Sequence, residues 1–429
     1  MKKVLVISYY FPPANHIATQ RAASFARYFP EMGIRPFFAT RHWKGDEKGW
    51  DDYFKENDSP VEKTVGENYE TIRLPFTVGK GYRISKNLGA LPHRAYLLSM
   101  SAIGKVQPEL DIEKDFYTYL RDYTAENRFD YILATFQPAG AIKMAYRLSR
   151  EFGIPYIVDF RDIWNRAVFL SDRSKIKKGQ LFLSYFQEFY LRRWLERASL
   201  ISAVNKQIIE RLQKILPGYE NFTVATNGFE ASLFEAEDVG LNEQFTFAVI
   251  GTLYAEQDLS LMIDGLKLFL KDKNPDDFRL DFIGVSGKKE VEDLLRKELP
   301  ETGLTITPRI PHEEAIRKMK GAHVLFYAGW KGYKGITPGK IFDYLGARRN
   351  ILIAPGDEIL DEIIAETRAG RIAESKEEFA SILEEWFAEW KRTGTIEYHG
   401  IEEKINFYTR ENQTKILARE ILKLEKNKI

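Results

Sequence analysis

The sequence contains no cysteine among its 429 residues. That absence excludes disulfide bonds, thiolate nucleophiles and zinc sites that depend on sulfur ligands. It suits a reducing compartment, so we expect a cytoplasmic protein.

The chain also lacks a long hydrophobic run and an excess of one charge. No apolar run approaches 18 residues, so we expect no membrane-spanning helix, although contact with a membrane surface stays open. The apolar run from residue 4 is short and is interrupted by Ser8, which favours a buried first strand over a signal peptide. Lys and Arg number 63 against 62 Asp and Glu, which gives no whole-protein attraction for nucleic acid. Any affinity for anions must be local.

Length and hydrophobic content, at 429 residues and 44%, predict two globular domains. Short β-branched or aromatic runs alternate with segments of helical period, a rhythm typical of parallel sheets covered by helices. We therefore predict two Rossmann-like domains of the α/β class. The predicted strands are residues 4–10, 36–40, 131–135, 156–160 and 200–204, then 245–250, 280–283, 304–307, 324–327 and 350–353.

Turn chemistry and an acidic, polar run mark the predicted boundary between the two domains. We place it near residue 235, with an N-terminal domain of residues 1–235 and a C-terminal domain of residues 236–404. Residues 41–106 break the rhythm and predict either a large insertion or a set of mobile loops.

Residues 331–346 form a glycine-rich loop that leads into a predicted helix. The loop follows the predicted strand 324–327, so it lies at the carboxyl end of a strand, where open α/β sheets bind ligands. Pro338 suits the first helical turn, and the amides of Gly339 and Lys340 would point from the helix start toward an anion.

Asp343 falls about one helical turn after Lys340. This spacing lets Lys340 bind a phosphate while Asp343 accepts hydrogen bonds from ribose hydroxyls. A helix start with a surface lysine and aspartate explains the spacing equally well. A P-loop is excluded, because residues 335–340 are one residue short and Ile341 stands where Ser or Thr is required.

Residues 337–354 resemble the P-x-K-x-F-E-Y-L signature of bacterial glycosyltransferases of the GT-B fold, in the family 4-like group. Asp343 stands where that group usually has Glu, and Gly335 stands where it has a further acidic residue. The resemblance implies that the loop binds the diphosphate of a nucleotide sugar and that the carboxylate binds its ribose. It adds Lys334 and Thr337 to the donor site.

Two further segments resemble donor-site loops of the same group. Gly251, Thr252 and Tyr254 follow a predicted strand and resemble the loop on the phosphate side, although the usual basic pair is absent from residues 256–258. Arg309 and Ile310 resemble the segment whose backbone contacts the nucleobase, and an ordinary strand-to-helix turn explains them equally well.

The loop after the first predicted strand resembles the Y-F-P-P opening of the same enzymes, at residues 10–13. Pro13 and Arg21 are candidates for the acceptor or phosphate side, with a solvated arginine as the alternative. His16 is a candidate general base, although a lone loop histidine is more often polar surface.

Asp159, Arg161 and Asp162 follow a predicted buried strand, where such charges are costly unless they are paired or used. The tract resembles the D-F-R-D-x-W motif of the same enzymes, at a position that faces the cleft between the domains. Either carboxylate would orient the acceptor hydroxyl while Arg161 holds an acidic group. The alternative is an internal salt bridge that shapes the loop.

Residues 166–197 are basic and aromatic, and a second basic region covers residues 83–105. Such a surface rests on an anionic membrane or collects a lipid-linked acceptor, and a core helix with a solvated basic face explains the same pattern.

The resemblance as a whole implies a GT-B architecture, with two Rossmann-like domains facing a central cleft. It implies transfer of a sugar from a nucleotide-diphosphate donor to a saccharide or lipid-linked acceptor, with retention of configuration, in polysaccharide or glycoconjugate synthesis. Residues 405–429 would form a helix that crosses back to the N-terminal domain. We expect no metal, because the sequence has no D-x-D run, and no cofactor besides the donor substrate. The alternatives are a nucleotide-sugar epimerase of the same fold, against which the sparse histidines argue, and a nucleotide-sugar-binding protein without catalysis.

Overall fold

The computed structural model describes residues 1–47, 50–105, 107–162, 178–254, 257, 259–285, 289–329, 339–356 and 358–424. The chain divides into two compact units. The first consists of Met1–Thr226 together with the chain from Gln413 onward, and the second is Asn227–Asn412.

The first unit is built on a sheet with strand order β3-β4-β2-β1-β5-β6-β7-β8, in which every neighbouring pair is parallel except β3 with β4. Its central strands are buried on both faces, which explains their continuous apolar sequences. The strands are β1 (Lys2–Ile7), β2 (Ile34–Arg41), β3 (Glu62–Val65), β4 (Glu70–Leu74), β5 (Tyr131–Phe136), β6 (Tyr156–Phe160), β7 (Leu200–Ala203) and β8 (Phe222–Val224).

Helices connect these strands and complete the first unit. They are α1 (Thr19–Tyr28), α2 (Lys80–Leu88), α3 (Ala90–Ala102), α4 (Glu113–Glu126), α5 (Ala139–Phe152), α6 (Lys178–Leu195) and α7 (Lys206–Ile215). Short 3-10 turns lie at Pro30–Met32, Trp50–Phe54 and Pro108–Leu110.

The second unit contains a wholly parallel sheet with strand order β11-β10-β9-β12-β13-β14. Numbered from its own first strand this is the 3-2-1-4-5-6 order of the doubly wound dinucleotide-binding fold. The strands are β9 (Phe245–Ile250), β10 (Phe278–Ile283), β11 (Leu304–Thr307), β12 (Val324–Tyr327), β13 (Asn350–Ile353) and β14 (Gly370–Ile372). The helices are α8 (Ala231–Glu235), α9 (Ser260–Leu270), α10 (Lys289–Glu298), α11 (His312–Gly321), α12 (Gly339–Ala347), α13 (Glu358–Thr367), α14 (Lys376–Thr393) and α15 (Glu402–Phe407), with a 3-10 turn at Pro275–Asp277.

The chain returns to the first unit within the last helix, α16 (Arg410–Lys423), between Asn412 and Gln413. From Gln413 onward its apolar side chains belong to the core of the first unit, where Leu417, Ala418 and Ile421 pack with Val4 and other buried residues. The chain thus enters the second unit once and leaves it once.

The unit borders differ from the boundaries predicted at residues 235 and 404. Phe229 and Phe234 belong to a core cluster of the second unit, so that unit begins at Asn227. Tyr408 belongs to the same cluster, and the backbone of Phe229 forms a parallel bridge with Thr409, which keeps the chain in the second unit as far as Asn412.

The prediction of an insertion or mobile loops for residues 41–106 is wrong. This segment contains β3, β4, α2 and α3. The parallel pairing of β4 with β2 makes this segment part of the main sheet. The sequence gives no apolar pattern for β3, because all four of its residues are exposed.

Candidate functional site

The site of the second unit lies where its strand order reverses, between β9 and β12. Ligands of this fold bind at the carboxyl ends of the strands at that switch point. Gly251 directly follows β9 with φ +102°, and Gly284 directly follows β10 with φ +85°. A β-carbon on Gly284 would lie 3.4 Å from the α-carbon of Gly251, so the two loops meet without side chains between them. The backbone is therefore open to close approach at this edge.

Lys340 lies in the first turn of α12 and its side chain reaches across Gly251. Its Nζ donates a hydrogen bond to the carbonyl oxygen of Thr252 at 3.0 Å and lies 5.6 Å from the centre of the Tyr327 ring. No carboxylate contacts this amine in the described part of the chain. Burial lowers the pKa of Lys340 to about 8. A desolvated cation at the switch point, with no counter-charge from the described residues, suits the binding of an anion.

Asp343 lies one turn further along α12 and is buried. Its Oδ2 lies 3.2 Å from Nε2 of His312, the first residue of α11. The hydrogen bond to Asp343 raises the pKa of His312, against the opposing effect of burial and of the nearby Arg410. This partner cannot be predicted from local sequence, because 31 residues separate the two and no local pattern joins them.

Two polar side chains that the sequence analysis also missed hold the surrounding loops. The hydroxyl of Tyr344 accepts from the amide of Ile250 at 2.9 Å and lies within hydrogen-bond distance of the carbonyl oxygens of Ile250 and Phe326, so α12 is fixed to β9 and β12. Gln257 is buried and donates to the carbonyl oxygen of Ala328, while its Oε1 accepts from the amide of Tyr254. The loops after β9 and β12 are joined in this way.

The remaining predicted donor residues are distributed more widely. Tyr254 is 41% exposed. Arg309 is exposed, whereas Ile310 packs against the core of the second unit. Gly339 is the first residue of α12. Lys334, Thr337 and Pro338 lie outside the described residues.

Asp159 and Arg21 form a buried, bidentate ion pair in the first unit. Arg21 Nε donates to Asp159 Oδ2 at 2.6 Å and Nη2 donates to Oδ1 at 2.7 Å. The same guanidinium donates to the carbonyl oxygens of Ala225 and Thr226, both at 2.9 Å. Both carboxylate oxygens and most N–H groups of the arginine are therefore engaged inside the protein. The pair anchors α1, β6 and the segment after β8 to one another.

Arg161 lies two residues beyond Asp159 and has a different environment. Its guanidinium carbon is 5.1 Å from the centre of the Tyr10 ring, and within the described ranges no carboxylate or carbonyl hydrogen-bonds to it. Burial lowers the pKa of Arg161, although a guanidinium stays charged at neutral pH. Asp162 is exposed. The strand end thus presents a desolvated cation next to an aromatic ring.

His16 stacks on the same Tyr10 ring, and the centres of the two rings are 4.2 Å apart. Its Nδ1 accepts a hydrogen bond from the amide of Ala18 at 3.0 Å. The neutral ring therefore carries its proton on Nε2. Pro13 is exposed in the same loop, which Glu47 holds by accepting from the amide of Asn15 at 3.0 Å.

No protein-family model matches the chain, and no curated protein sequence matches it at a significant level. Solved structures match it over its whole length. The sucrose-phosphate synthase of Thermosynechococcus elongatus has a TM-score of 0.65 at 12% identity, with 100% of both chains covered. The α,α-trehalose-phosphate synthase (UDP-forming) of Burkholderia xenovorans, in complex with glucose-6-phosphate, has a TM-score of 0.62 at 10% identity, covering 98% of this chain and 100% of that one. A glycosyltransferase from Rickettsia africae has a TM-score of 0.58 at 11% identity, covering 99% and 96%.

These neighbours are glycosyltransferases of the GT-B fold, and the chain has that fold. The predicted fold class is confirmed. At identities of 10–12% the likeness concerns the fold alone.

Proposed function

We propose that the protein is a glycosyltransferase that moves a sugar from a nucleotide-diphosphate donor to a hydroxyl acceptor. The observation that carries the proposal is the amine of Lys340, which is desolvated at the switch point of the second unit and is contacted by no carboxylate among the residues that the structure describes. A diphosphate supplies the missing negative charge. The ends of β9 and β12 supply backbone groups around it.

Asp343 is the proposed partner of the donor ribose. His312 occupies Oδ2, which leaves Oδ1 for a ribose hydroxyl. Gly251 and Thr252 lie on the phosphate side, with the carbonyl oxygen of Thr252 holding the lysine in place. The resemblance to family 4-like transferases supports the same assignment, and it extends the donor site to Tyr254, Arg309 and Ile310.

Catalysis would rest on stabilising the leaving group. When the sugar–phosphate bond breaks, negative charge grows on the nucleoside diphosphate, and a preorganised cation in a desolvated place lowers that barrier. Lys340 and the start of α12 would provide this charge, and the proposal therefore includes no metal and no cofactor. Retention of configuration is proposed from the family resemblance.

The acceptor is assigned to the first unit, around Tyr10. Arg161 and His16 both lie against the ring of Tyr10 there, and the exposed Asp162 is the proposed carboxylate for the acceptor hydroxyl. Asp159 and Arg21 engage each other and so hold this loop without contacting the substrate. A saccharide or lipid-linked acceptor, at the cytoplasmic face of the membrane, would make the enzyme part of polysaccharide or glycoconjugate synthesis.

A thermal-shift screen with UDP, GDP, dTDP and ADP tests the donor site, because a ligand that binds only the folded protein raises its Tm. At least one nucleotide should shift the wild type, and Lys340→Ala should abolish that shift. A panel of nucleotide sugars then separates the activities. Transfer or hydrolysis supports the proposal, an isomerised donor indicates an epimerase, and binding without turnover indicates an inactive binder. A full shift in Lys340→Ala contradicts the site itself.

A further inference from the structure

Large apolar side chains lie exposed on α2, α3 and α6 of the first unit and directly after α3, which packs against both other helices. Leu91 of α3 is 77% exposed and Tyr185 of α6 is 65% exposed, which is far beyond the usual burial of such residues. We call the set the exposed apolar face. Its members are Leu88, Leu91, Ile103, Phe182, Tyr185 and Phe189.

The aromatic members of this face point directly away from the protein core. At about 100° per residue, Phe182, Tyr185 and Phe189 fall within about 60° of one another around the axis of α6. The buried residues of α6 lie on the opposite side and include the polar Ser184 and Gln187. Leu191, Trp194 and Leu195 are buried on that side as well, so α6 is apolar on both sides, which is not the pattern of a helix that has only water outside.

The position of α6 on the unit is well determined by its own contacts. Tyr190 donates a hydrogen bond to the carbonyl oxygen of Ala102 at 2.8 Å, and its ring fills the place where a β-carbon on Gly104 would be. The carbonyl oxygen of the buried Trp194 accepts from Tyr156 of β6 at 2.6 Å. A rotation that buried the aromatic rings would break these contacts.

The surroundings of the exposed apolar face are basic. Residues 71–108 contain no Asp or Glu. Arg83 and Lys86 pair with carboxylates of the neighbouring loop, Glu56 and Asp51. Arg73 and Lys105 pair with Glu62 and Asp111. The other two cationic residues of the stretch are Lys80 and Arg94.

Two arginines near the face retain their full charge for a partner. Arg94 of α3 and Arg192 of α6 are exposed, and no carboxylate contacts either one in the part of the chain that the structure describes. Exposed aromatic rings beside uncompensated arginines are complementary to a surface with anionic groups outside and an apolar layer beneath them.

We propose that the exposed apolar face seats the first unit on a phospholipid surface that contains anionic lipid. The rings and leucines enter the boundary between headgroups and acyl chains, and the arginines contact lipid phosphates. The contact is peripheral, since none of the described helices is long and apolar enough to cross a membrane. The inference does not depend on the transfer activity, although it would place the proposed enzyme beside a lipid-linked acceptor.

Co-sedimentation of the full chain with vesicles tests the proposal. Wild-type protein should bind phosphatidylcholine vesicles containing phosphatidylglycerol, and the bound fraction should fall as salt is added. The triple variant Phe182→Gln/Tyr185→Gln/Phe189→Gln should bind at least about tenfold more weakly, with unchanged Tm and unchanged nucleotide affinity. The matched control Val65→Gln/Leu268→Gln/Leu294→Gln removes exposed apolar side chains elsewhere and should bind like the wild type.

The absence of cysteine allows a second measurement that does not depend on the triple variant. Tyr185→Cys and Val65→Cys each place one thiol for an environment-sensitive dye. Anionic vesicles should shift the emission of the dye at position 185 to the blue and leave that at position 65 unchanged. Equal binding by wild type and triple variant, or no shift at position 185, overturns the proposal. So does self-association of the wild type that the triple variant abolishes without vesicle binding, because the face would then join two copies of this chain.

Discussion

The buried amine of Lys340 favours binding of a nucleotide diphosphate but lowers the stability of the fold. Replacing Lys340 by methionine separates these two effects. Methionine keeps most of the length and apolar volume of the side chain but carries no charge. The variant Lys340→Met should therefore bind nucleotide diphosphates poorly and yet unfold at a higher temperature than the wild type. Sites that are preorganised for a charged ligand commonly reduce stability in this way.

The magnitude follows from the pKa of the amine. A fall from 10.5 to about 8 corresponds to about 3 kcal/mol of unfavourable free energy for the charged form, at about 1.4 kcal/mol per tenfold change. Loss of the hydrogen bond to Thr252 offsets about 1 kcal/mol. The net gain of about 2 kcal/mol should raise the Tm of the second unit by about 4–8 °C. Loss of a charge-assisted contact should weaken nucleotide binding by about 10- to 100-fold.

The pH dependence has a definite sign. The folded protein releases this proton near pH 8, whereas the unfolded chain keeps it to about pH 10.5. Between these values the unfolded state binds more protons, so the wild type gains stability as the pH rises. The advantage of Lys340→Met should be complete below pH 8 and should shrink above it.

Calorimetry of both proteins between pH 6.5 and about 10, with titration calorimetry of the nucleotide that binds best, measures these quantities. Lys320→Met is the matched control. That lysine also donates to backbone carbonyls in the second unit, those of Phe234 and Glu237, but it lies on α11 near the amino ends of the strands. It should lower stability and leave nucleotide affinity unchanged. A Lys340→Met protein that is less stable than the wild type at pH 7, or that binds nucleotide equally well, would refute the reasoning.

Three further outcomes follow from the contacts described above. Asp159→Asn should destabilise the protein by about 3–5 kcal/mol in chemical denaturation, because it leaves Arg21 buried without its partner. The double variant Arg21→Met/Asp159→Leu should cost clearly less stability than the sum of the two single variants, and additive costs contradict the pairing. Because the pKa of His312 is raised in the folded state, its pair with Asp343 stabilises the fold fully below about pH 6.5, and this contribution is lost as the pH rises through the folded-state pKa. His312→Gln should remove this pH dependence from the free energy of unfolding, and an unchanged pH dependence disproves the pairing. Leu417→Ala should cost about 2–5 kcal/mol in the first unit without altering nucleotide affinity, and a cost well under about 1 kcal/mol is incompatible with its place in the core.

The strands that could be predicted from the sequence are those buried on both faces. Residues 156–160, 245–250 and 324–327 coincide with β6, β9 and β12, because a central parallel strand requires a continuous apolar run whatever surrounds it. The edge strand β3 has no such requirement. It is defined by its hydrogen bonds to β4, and these depend on a neighbour in space.

In the candidate site, too, only the features that depend on local sequence could be predicted. Lys340 and Asp343 were predicted together because one helical turn joins them. His312 could not be predicted as the partner of Asp343, nor Arg21 as the partner of Asp159, since 31 and 138 residues separate the members of these pairs. Local spacing shows which charges are present on an element, and only the tertiary fold shows which of them are already neutralised.

The return of the chain to the first unit at Gln413 has a consequence for protein synthesis. The second unit is continuous, so its core is complete as soon as Asn412 has left the ribosome. The first unit is made earlier but waits for Leu417, Ala418 and Ile421 to close its core. Domains usually fold in the order of their synthesis. Here the domain that is begun first is completed last, and a released chain that ends at Asn412 would contain a complete second unit attached to an open first one.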